Sequence, residues 1–156
     1  MNMDINLDND FEEIHVKDVY IVDIFENPTP MVLLENMEGN LLPMFIGHFE
    51  ALSIGNVLKN ISPPRPMAHD LMINIFDRLG IKIDCVMIDD KVEKIYYARL
   101  LIRKGSNVMQ FDARPSDCIA LALRAGAPIR IRKKVLEGSE VEMSKIDGAR
   151  VINIFG

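Results

Sequence analysis

Two short segments of the sequence each place an Arg-Pro pair and acidic side chains at the start of a predicted helix. The first, RPMAHD, spans residues 65–70, and the second, DARPSD, spans residues 112–117. The first N–H groups of a helix lack intrahelical partners and carry about half a positive charge, so an anion can bind there. Arginine suits phosphate, and carboxylate oxygens suit a divalent metal. One interpretation is therefore a site for phosphate or metal chemistry.

Under this interpretation, the polar residues of the two segments have three roles. His69 is expected to activate water as a general base, beside the catalytic carboxylates of Asp70 and Asp117. The expected substrate-binding residues are Arg65, Arg114 and Ser116. The expected ligands of Mg²⁺ or Mn²⁺ are Asp70, Asp112, Asp117 and Glu50, the last at the start of another predicted helix. This arrangement requires the two helix starts to converge.

A second interpretation gives the same residues structural roles. In DARPSD, the acidic and hydroxyl side chains cap the helix and the arginine pairs with an acid. In RPMAHD, Asp70 favours the helix N-terminus, and His69 hydrogen-bonds a neighbouring loop. The pairs Arg65–Asp70 and Arg114–Asp117 then fasten two helices together in a non-enzymatic, oligomeric binding or scaffold domain. The pattern alone does not choose between the two interpretations.

The first half of the chain is predicted to form three strands followed by two helices. Runs rich in β-branched, aromatic and aliphatic residues predict strands at 15–25, 31–36 and 41–47, with turns at 26–30 and 37–40. A helix is expected over residues 48–60, ended by the proline-rich loop that follows. The next helix, over 67–80, has an apolar stripe and ends at Gly80. The stripe consists of Ala68, Leu71, Met72, Ile75, Phe76 and Leu79. His69 is expected on the polar side.

The second half of the chain is predicted to add three strands, a buried helix and a last strand. The strands 81–89 and 91–104 are expected to join around Asp89-Asp90, followed by a strand at 108–113. The helix that starts at Pro115 is apolar nearly all round and ends at Gly126, before a strand beginning near residue 128. This order predicts a single α+β domain with about three helices on a mixed or largely antiparallel sheet. Its expected span is 13–133, between a loose acidic lead-in, 1–12, and a C-terminal extension, 134–156.

Composition and charge favour a globular cytoplasmic protein. The 156 residues are 49% hydrophobic and 26% charged, and no apolar run approaches the roughly 20 residues of a membrane span. The acidic N-terminus lacks the features of a signal peptide. Cys85 and Cys118 lie in apolar segments and are expected to be buried free thiols, which fits a reducing cytosol.

The distribution of charge leaves room for a phosphate-binding surface. A net charge of −5 argues against a protein that coats nucleic acid. Residues 1–60 hold 11 acidic and 2 basic residues, however, whereas residues 61–156 hold 12 acidic and 16 basic residues. The second part can therefore present a basic face. The sequence also allows association into a homo-oligomer.

Four segments together resemble the bifunctional nuclease domain family. They are LPMFIGHFEALSI at 42–54, PPRPMAHDLM at 63–72, YYARLLIR at 96–103 and DARPSDCIALALRAGAPI at 112–129. The resemblance covers roughly residues 15–132 and departs at His48-Phe49 and at Cys118. It implies a nuclease that acts on DNA and RNA, as in plant members. By position, the matching polar residues are Glu50, Arg65, His69, Asp70, Asp112, Arg114, Ser116 and Asp117.

Overall fold

The strands of the chain pair into one mixed sheet, in a computed structural model that describes residues 7–139 and 150–152. The strands are β1 Phe11–Ile24, β2 Asn27–Asn36, β3 Leu41–Phe45, β4 Ile81–Val92, β5 Ile95–Lys104, β6 Asn107–Ala113, β7 Ile129–Arg132 and β8 Arg150–Ile152. The helices are α1 Leu7–Asp10, α2 His48–Leu58, α3 Ala68–Leu79, α4 Pro115–Ala125 and α5 Lys133–Glu137. The sheet order is β3-β2-β1-β7-β4-β5-β6, and β8 pairs with β1.

The sheet consists of two antiparallel meanders joined by β7. The first meander is β1–β2–β3, and the second is β4–β5–β6. Strand β7 pairs antiparallel with β1 and parallel with β4. A parallel neighbour requires a crossover, which here includes α4. The prediction of a single α+β domain with a mixed sheet and three substantial helices is therefore confirmed.

The main core lies between one face of the sheet and the three long helices. Helix α4 is central, because it packs against α2, α3, β4 and β5. Its residues 118–122 are all buried, as its uniformly apolar sequence predicts. On the opposite face, Phe11, Met87 and Leu101 form a smaller buried cluster. The helices are thus on one side of the sheet, and the ends of these helices position the polar residues considered below.

The first hairpin differs from its prediction at both ends. Strand β1 begins at Phe11 rather than His15, because the Phe11 ring is buried beneath the Arg132 guanidinium. Strand β2 begins at Asn27, so two prolines expected in a turn lie within a strand. At residues 27–29 this strand pairs with β1 alone, and Pro30 uses only its carbonyl toward the third strand, accepting a hydrogen bond from the Ile46 N–H, so neither proline removes a ladder hydrogen bond on that side. The turn itself is Phe25–Glu26.

The hairpin between β4 and β5 turns at Glu93–Lys94 and not at Asp89-Asp90. Both turn residues have positive φ, 58° and 111°. Two-residue hairpin loops need such angles to match the twist of the flanking strands. Asp89 instead lies within β4, where its carboxylate accepts a hydrogen bond from Arg99. The pair of aspartates was therefore a misleading turn signal.

Helix α3 has the predicted length and ends at Gly80 in a left-handed conformation, but its orientation differs from the prediction. His69, expected on the polar side, is its buried residue. Most of the predicted apolar stripe faces outward, with Leu71, Met72 and Leu79 among its exposed side chains. The prediction that His69 lies on the polar side of the helix is therefore wrong, and most of the apolar stripe does not pack into the core.

The regions outside the predicted 13–133 domain are described only in part. In the expected lead-in, α1 precedes the start of β1, and residues 1–6 lie outside the described residues. In the expected extension, α5 buries Val135 and Leu136. Residues 140–149 and 153–156 lie outside the described residues.

Both cysteines are free thiols, Cys118 buried and Cys85 half-buried. Burial raises the pKa of the Cys118 thiol to about 12. Across the described ranges, no helix has the length and apolar character needed to cross a membrane.

Candidate functional site

The two predicted segments meet where α2, α3 and α4 converge. Helix α2 contributes Glu50 and Ser53, α3 contributes His69 in its first turn, and α4 contributes Asp117 together with Arg114, its N-cap residue. Pro115 fixes the first turn of α4 and so sets the position of Asp117. The starts of α3 and α4 thus converge, as the interpretation of a shared site requires.

His69 uses both ring nitrogens to join these helices. Its Nε2 lies 2.9 Å from Oδ1 of Asp117, and its Nδ1 lies 2.6 Å from Oγ of Ser53. Ser53 and His69 are both buried. The imidazole is therefore held by one helix on each side, and not by a neighbouring loop as the structural interpretation expected.

The chain of contacts continues from Asp117 to α2. The Nε–H of Arg114 donates to Oδ2 of Asp117 over 2.9 Å, and its Nη2–H donates to Oε1 of Glu50 over 2.7 Å. The predicted Arg114–Asp117 ion pair is confirmed. A continuous chain thus runs Ser53–His69–Asp117–Arg114–Glu50, which we call the interhelix chain.

The charge state of Asp117 fixes the tautomer of His69. Burial of the Asp117 carboxyl by itself raises its pKa, but hydrogen bonds from Arg114 and His69 outweigh burial and leave the pKa below its ordinary 3.8. Hydrogen bonds to Asp117 and to Glu50 raise the pKa of Arg114. An ionised carboxylate only accepts hydrogen bonds, so Nε2 of His69 must carry a proton. In the neutral ring the lone pair is then on Nδ1, facing the Ser53 hydroxyl.

Glu50 folds back over the start of α2, where Gly47 leaves room for its carboxylate. A Cβ atom on Gly47 would collide with Oε2 of Glu50, so a side chain at this position would displace the carboxylate. Glycine at the N-cap therefore lets the Glu50 carboxylate fold back over the helix start while its other oxygen binds Arg114.

A pocket of about 380 Å³ opens beside the interhelix chain. All five residues of the chain line it, and the rest of its wall is mostly apolar. The apolar residues include Phe49, Met72, Phe76, Leu100, Ala113 and Leu121. Phe49 is exposed at its rim, so the pocket is open to solvent on that side. The arrangement can therefore bind a group with one polar and one apolar end.

Asp70 lies outside the interhelix chain, although it neighbours His69. Its Oδ1 accepts a 2.8 Å hydrogen bond from Nε of Arg124, and its Oδ2 accepts one from the Met67 N–H at the start of α3. The bond from Arg124 holds the pKa of Asp70 below its usual value. Arg124 also donates to the carbonyl oxygen of Ser53. The expected Arg65–Asp70 pair is therefore wrong, because a buried arginine of α4 takes that place.

Three other predicted site residues are dispersed. Arg65 is exposed in the loop between α2 and α3. Ser116 is buried and lines a different pocket, which also includes Gly47 and Tyr96. Asp112 lies on β6 opposite Arg99 and lines a pocket on the other face of the sheet. Because side chains alternate along a strand, Ala113 faces the interhelix chain and Asp112 faces away.

The acidic residues have two predicted roles, capping of α4 and metal binding, and the structure bears on each separately. Arg114 is the N-cap of α4, and its side chain makes no capping hydrogen bond. Asp112 lies in β6, and Asp117 lies in the first turn of α4, where its two oxygens bind His69 and Arg114. Between residues 7 and 139, no three His, Cys, Asp or Glu side chains gather in a metal-binding group. Of the four predicted ligands, Glu50 and Asp117 approach the same point, where both bind Arg114.

Sequence reasoning missed Ser53 and Arg124. Each carried a signal, because each is a polar residue within an apolar helical run: ALSIG for Ser53 and IALALRAG for Arg124. Such residues are rarely buried without a partner. Their partners come from other helices, however, and neither run indicates which.

The family model and the named relatives that match this chain indicate the same family. A family model described as the bifunctional nuclease domain matches residues 31–144. An uncharacterized protein from Mycobacterium tuberculosis is 39% identical over 108 residues, which are 69% of this chain and 64% of that protein. Bifunctional nuclease 1 from Arabidopsis thaliana is 26% identical over 136 residues, 85% of this chain and 39% of the relative. Bifunctional nuclease 2 of that plant is 28% identical over 123 residues, 77% and 35% respectively. The chain thus spans less than two thirds of each relative.

Proposed function

Since the chain belongs to the bifunctional nuclease domain family, we propose that it is a nuclease that hydrolyses phosphodiester bonds of DNA, RNA or both. The proposed active site is the pocket beside the interhelix chain. The observation that carries this proposal is the 2.9 Å hydrogen bond between His69 and Asp117, two residues 48 positions apart, at the wall of an open pocket. An imidazole oriented by a carboxylate is a common general base in hydrolysis.

His69 is the proposed base, and its tautomer sets the route of the proton. Asp117 accepts from Nε2–H and stabilises the imidazolium that forms when Nδ1 gains a proton. Because Nδ1 faces Ser53, a water in the pocket passes its proton to the Ser53 hydroxyl, which passes its own to Nδ1. Ser53 lies 2.6 Å from that nitrogen, within the range of such a transfer.

Arg114 is the proposed phosphate-binding residue. Its side chain is 65% exposed, so the guanidinium can reach a phosphate at the pocket while it stays close to Asp117. Glu50 and Asp117 are the proposed protein ligands of Mg²⁺ or Mn²⁺. Two carboxylates suffice, because Mg²⁺ at phosphoryl sites commonly binds one or two carboxylates and completes its shell with waters and phosphate oxygens. The cation would offset the negative charge of the phosphate.

The apolar wall of the pocket favours an unpaired base as the group beside the scissile phosphate. Bases of single strands bind proteins by stacking on aromatic side chains, and Phe49 is exposed at the pocket. Bases inside a duplex are stacked on one another and would have to flip out. We therefore expect single-stranded DNA or RNA to be cleaved faster than duplexes of the same sequence.

The direct test compares wild type with His69→Ala and Asp117→Asn on labelled single-stranded oligonucleotides, with Mg²⁺, with Mn²⁺ and with a chelator. We expect both substitutions to lower the cleavage rate by about 100-fold or more, the usual contribution of general-base catalysis. His15→Ala, an exposed histidine on β1, is the matched control and should cleave at the wild-type rate. Equal cleavage by wild type and folded His69→Ala would assign the activity to a contaminant.

A non-enzymatic scaffold domain is the second candidate. It is favoured by the interhelix chain itself, in which both nitrogens of His69 and both carboxylate oxygens of Asp117 have partners within the protein. In that case, Asp117→Asn should lower the melting temperature sharply, and Mg²⁺ or Mn²⁺ should not change the melting temperature of wild type. A metal-dependent rise in the melting temperature that Asp117→Asn abolishes would favour the nuclease.

We also propose that the protein acts in the cytoplasm. Both thiols are free, and Cys118 is deeply buried within α4. Free thiols of this kind are typical of reducing compartments.

A further inference from the structure

Helix α3 is apolar around more of its circumference than its own chain covers. At 100° per residue, the apolar side chains of residues 68–79 extend over an arc of about 200°. Ile73 and Phe76, on one side of this arc, pack against the core. On the other side, Leu71, Met72, Ile75 and Leu79 are 54%, 43%, 45% and 52% exposed. An amphipathic helix at a protein surface normally has one apolar side, which packs on the core. Helix α3 has a second apolar side that the described residues do not cover.

Exposed apolar side chains also lie on the edge strand β6, which approaches α3 at the site pocket. Met72 lines the site pocket together with Leu100 of β5 and Ala113 of β6. Phe111 pairs with Leu100, and Met109 pairs with Ile102, so both lie on the helix-bearing face of the sheet, where both are exposed. We define the α3–β6 patch as Leu71, Met72, Ile75, Leu79, Met109 and Phe111.

Strand β6 is also an edge that nothing in the described residues blocks. It ends the sheet order, it is seven residues long, and its one charged residue is Asp112. Proteins that keep an edge strand unpaired usually protect it with charged side chains, proline or a bulge. Strand β6 has no lysine and no proline, and its single charge, on Asp112, lies near one end of the strand.

We propose that two copies of this chain associate through the α3–β6 patch, about a two-fold axis beside β6. Roughly half of each of the six side chains is exposed, and a large apolar side chain has on the order of 200 Å² of surface, so the patch offers roughly 500–600 Å² per copy. A stable interface buries about 800 Å² per partner, of which about 60% is apolar. The patch thus supplies the apolar share of a standard dimer interface.

A second copy fits this patch because a two-fold axis pairs each surface with itself. The patch is apolar throughout, so its copy is complementary to it without any opposite charge. Across the axis, β6 meets its own copy antiparallel, which is the pairing that continues an antiparallel sheet. The two α3 helices then lie on the same face of the joined sheet with antiparallel dipoles and with their outer apolar sides in contact.

The test measures the mass of the 156-residue chain in solution by sedimentation velocity and light scattering at tens of micromolar. We expect wild type to have twice the chain mass of 17.7 kDa, and Ile75→Lys to have the chain mass alone with an unchanged circular dichroism spectrum. Ile95→Lys, an exposed isoleucine at the start of β5 outside the patch, is the matched control and should remain dimeric.

A cross-link locates the contact independently. Under mild oxidation, Ile75→Cys should form a disulfide-linked dimer faster than wild type, whose own thiols are buried or half-buried. A monomeric wild type, or a dimer that survives Ile75→Lys, would overturn the proposal. Neither result would bear on the nuclease test, which measures cleavage by His69 and Asp117 variants.

Discussion

His69 and Asp70 are neighbours in the sequence but belong to different networks. A step of about 100° around α3 directs His69 to Ser53 and Asp117 and directs Asp70 to Arg124. The first network lines an open pocket, whereas the second joins the start of α3 to a buried arginine of α4. Of this pair, His69 is therefore the candidate for chemistry and Asp70 the candidate for structure.

The depressed pKa of Asp117 predicts how stability changes in acid. A carboxyl group whose folded pKa lies below its unfolded value of 3.8 stabilises the fold above that value, and the stabilisation is lost as the pH falls through the folded pKa. Asp117→Asn removes this charge at every pH. We therefore expect wild type to be more stable than Asp117→Asn at pH 6, and the difference to shrink below about pH 4.

Urea unfolding at pH 6, 4 and 3 measures this difference in the free energy of unfolding. Asp70 also has a lowered pKa, but it titrates in both proteins and cancels in the comparison. A gap between the two proteins that stays constant from pH 6 to pH 3 would contradict the assignment of Asp117 as an ion-paired carboxylate.

At the scale of elements, the two-residue hairpin turns depart most from ordinary sequence rules. Phe25–Glu26 has φ angles of 51° and 64°, a conformation that asparagine and glycine adopt far more readily. Phe25 is fully exposed, so its side chain contributes little packing. Replacing the pair by Asn-Gly should raise the free energy of unfolding by about 1 kcal/mol, because it relieves strain in the folded turn.

Urea titration of this double variant should show a higher midpoint with an unchanged slope. Phe25→Ala is the control, because it removes the ring but leaves non-glycine residues at both positive φ angles, and its midpoint should stay near that of wild type. If the Asn-Gly variant unfolds at the same urea concentration as Phe25→Ala, the turn is not strained.

Side chains alternate between the two faces of the sheet along β6, so a shift of one residue determines whether a side chain reaches the candidate site. Ala113 reaches the helix-bearing face and Asp112 the opposite one, so a predicted metal ligand lines a pocket with Asp89 and Arg99 instead. The DARPSD segment crosses from a strand to a helix at this point. Its first residue therefore follows the two-residue period of β6, whereas its last follows the helical period of α4.

At the scale of the whole molecule, β6 is an open edge of the sheet, and its residue Ala113 lines the same pocket as Met72 of α3. If two copies associate there, unfolding also separates the copies, and mass action makes the melting temperature depend on protein concentration. We expect the melting temperature of wild type to rise measurably between about 1 µM and 100 µM chain, and that of Ile75→Lys to stay constant.

Differential scanning calorimetry over this concentration range checks the prediction. Ile95→Lys should follow wild type, because its substituted side chain lies outside the α3–β6 patch. A concentration-independent melting temperature for wild type would contradict a dimer whose folding and association are coupled.

The three long helices and the strands β1 to β7 were predicted in their correct order, whereas α1, α5 and β8 were not predicted. Apolar periodicity located the three long helices, and Gly80 and Gly126 were correctly predicted to end two of them, since both adopt the left-handed conformation that glycine favours. The uniformly apolar α4 was correctly predicted to be buried. Turn positions were less certain, because Phe25–Glu26 and Glu93–Lys94 carry no turn signal and are held in place by the pairing of their strands.

The partners of the polar residues follow from the packing of the helices and not from the sequence pattern. The sequence named His69, Arg114 and Asp117, but Ser53 joins His69 from 16 positions away and Arg124 reaches Asp70 from 54 positions away. Periodicity fixes the relative angles of residues on a helix but not which side turns to the core. On α3, where apolar residues cover about 200°, two orientations satisfy the pattern, and packing against α4 selects the one that buries His69 and leaves Ile75 exposed.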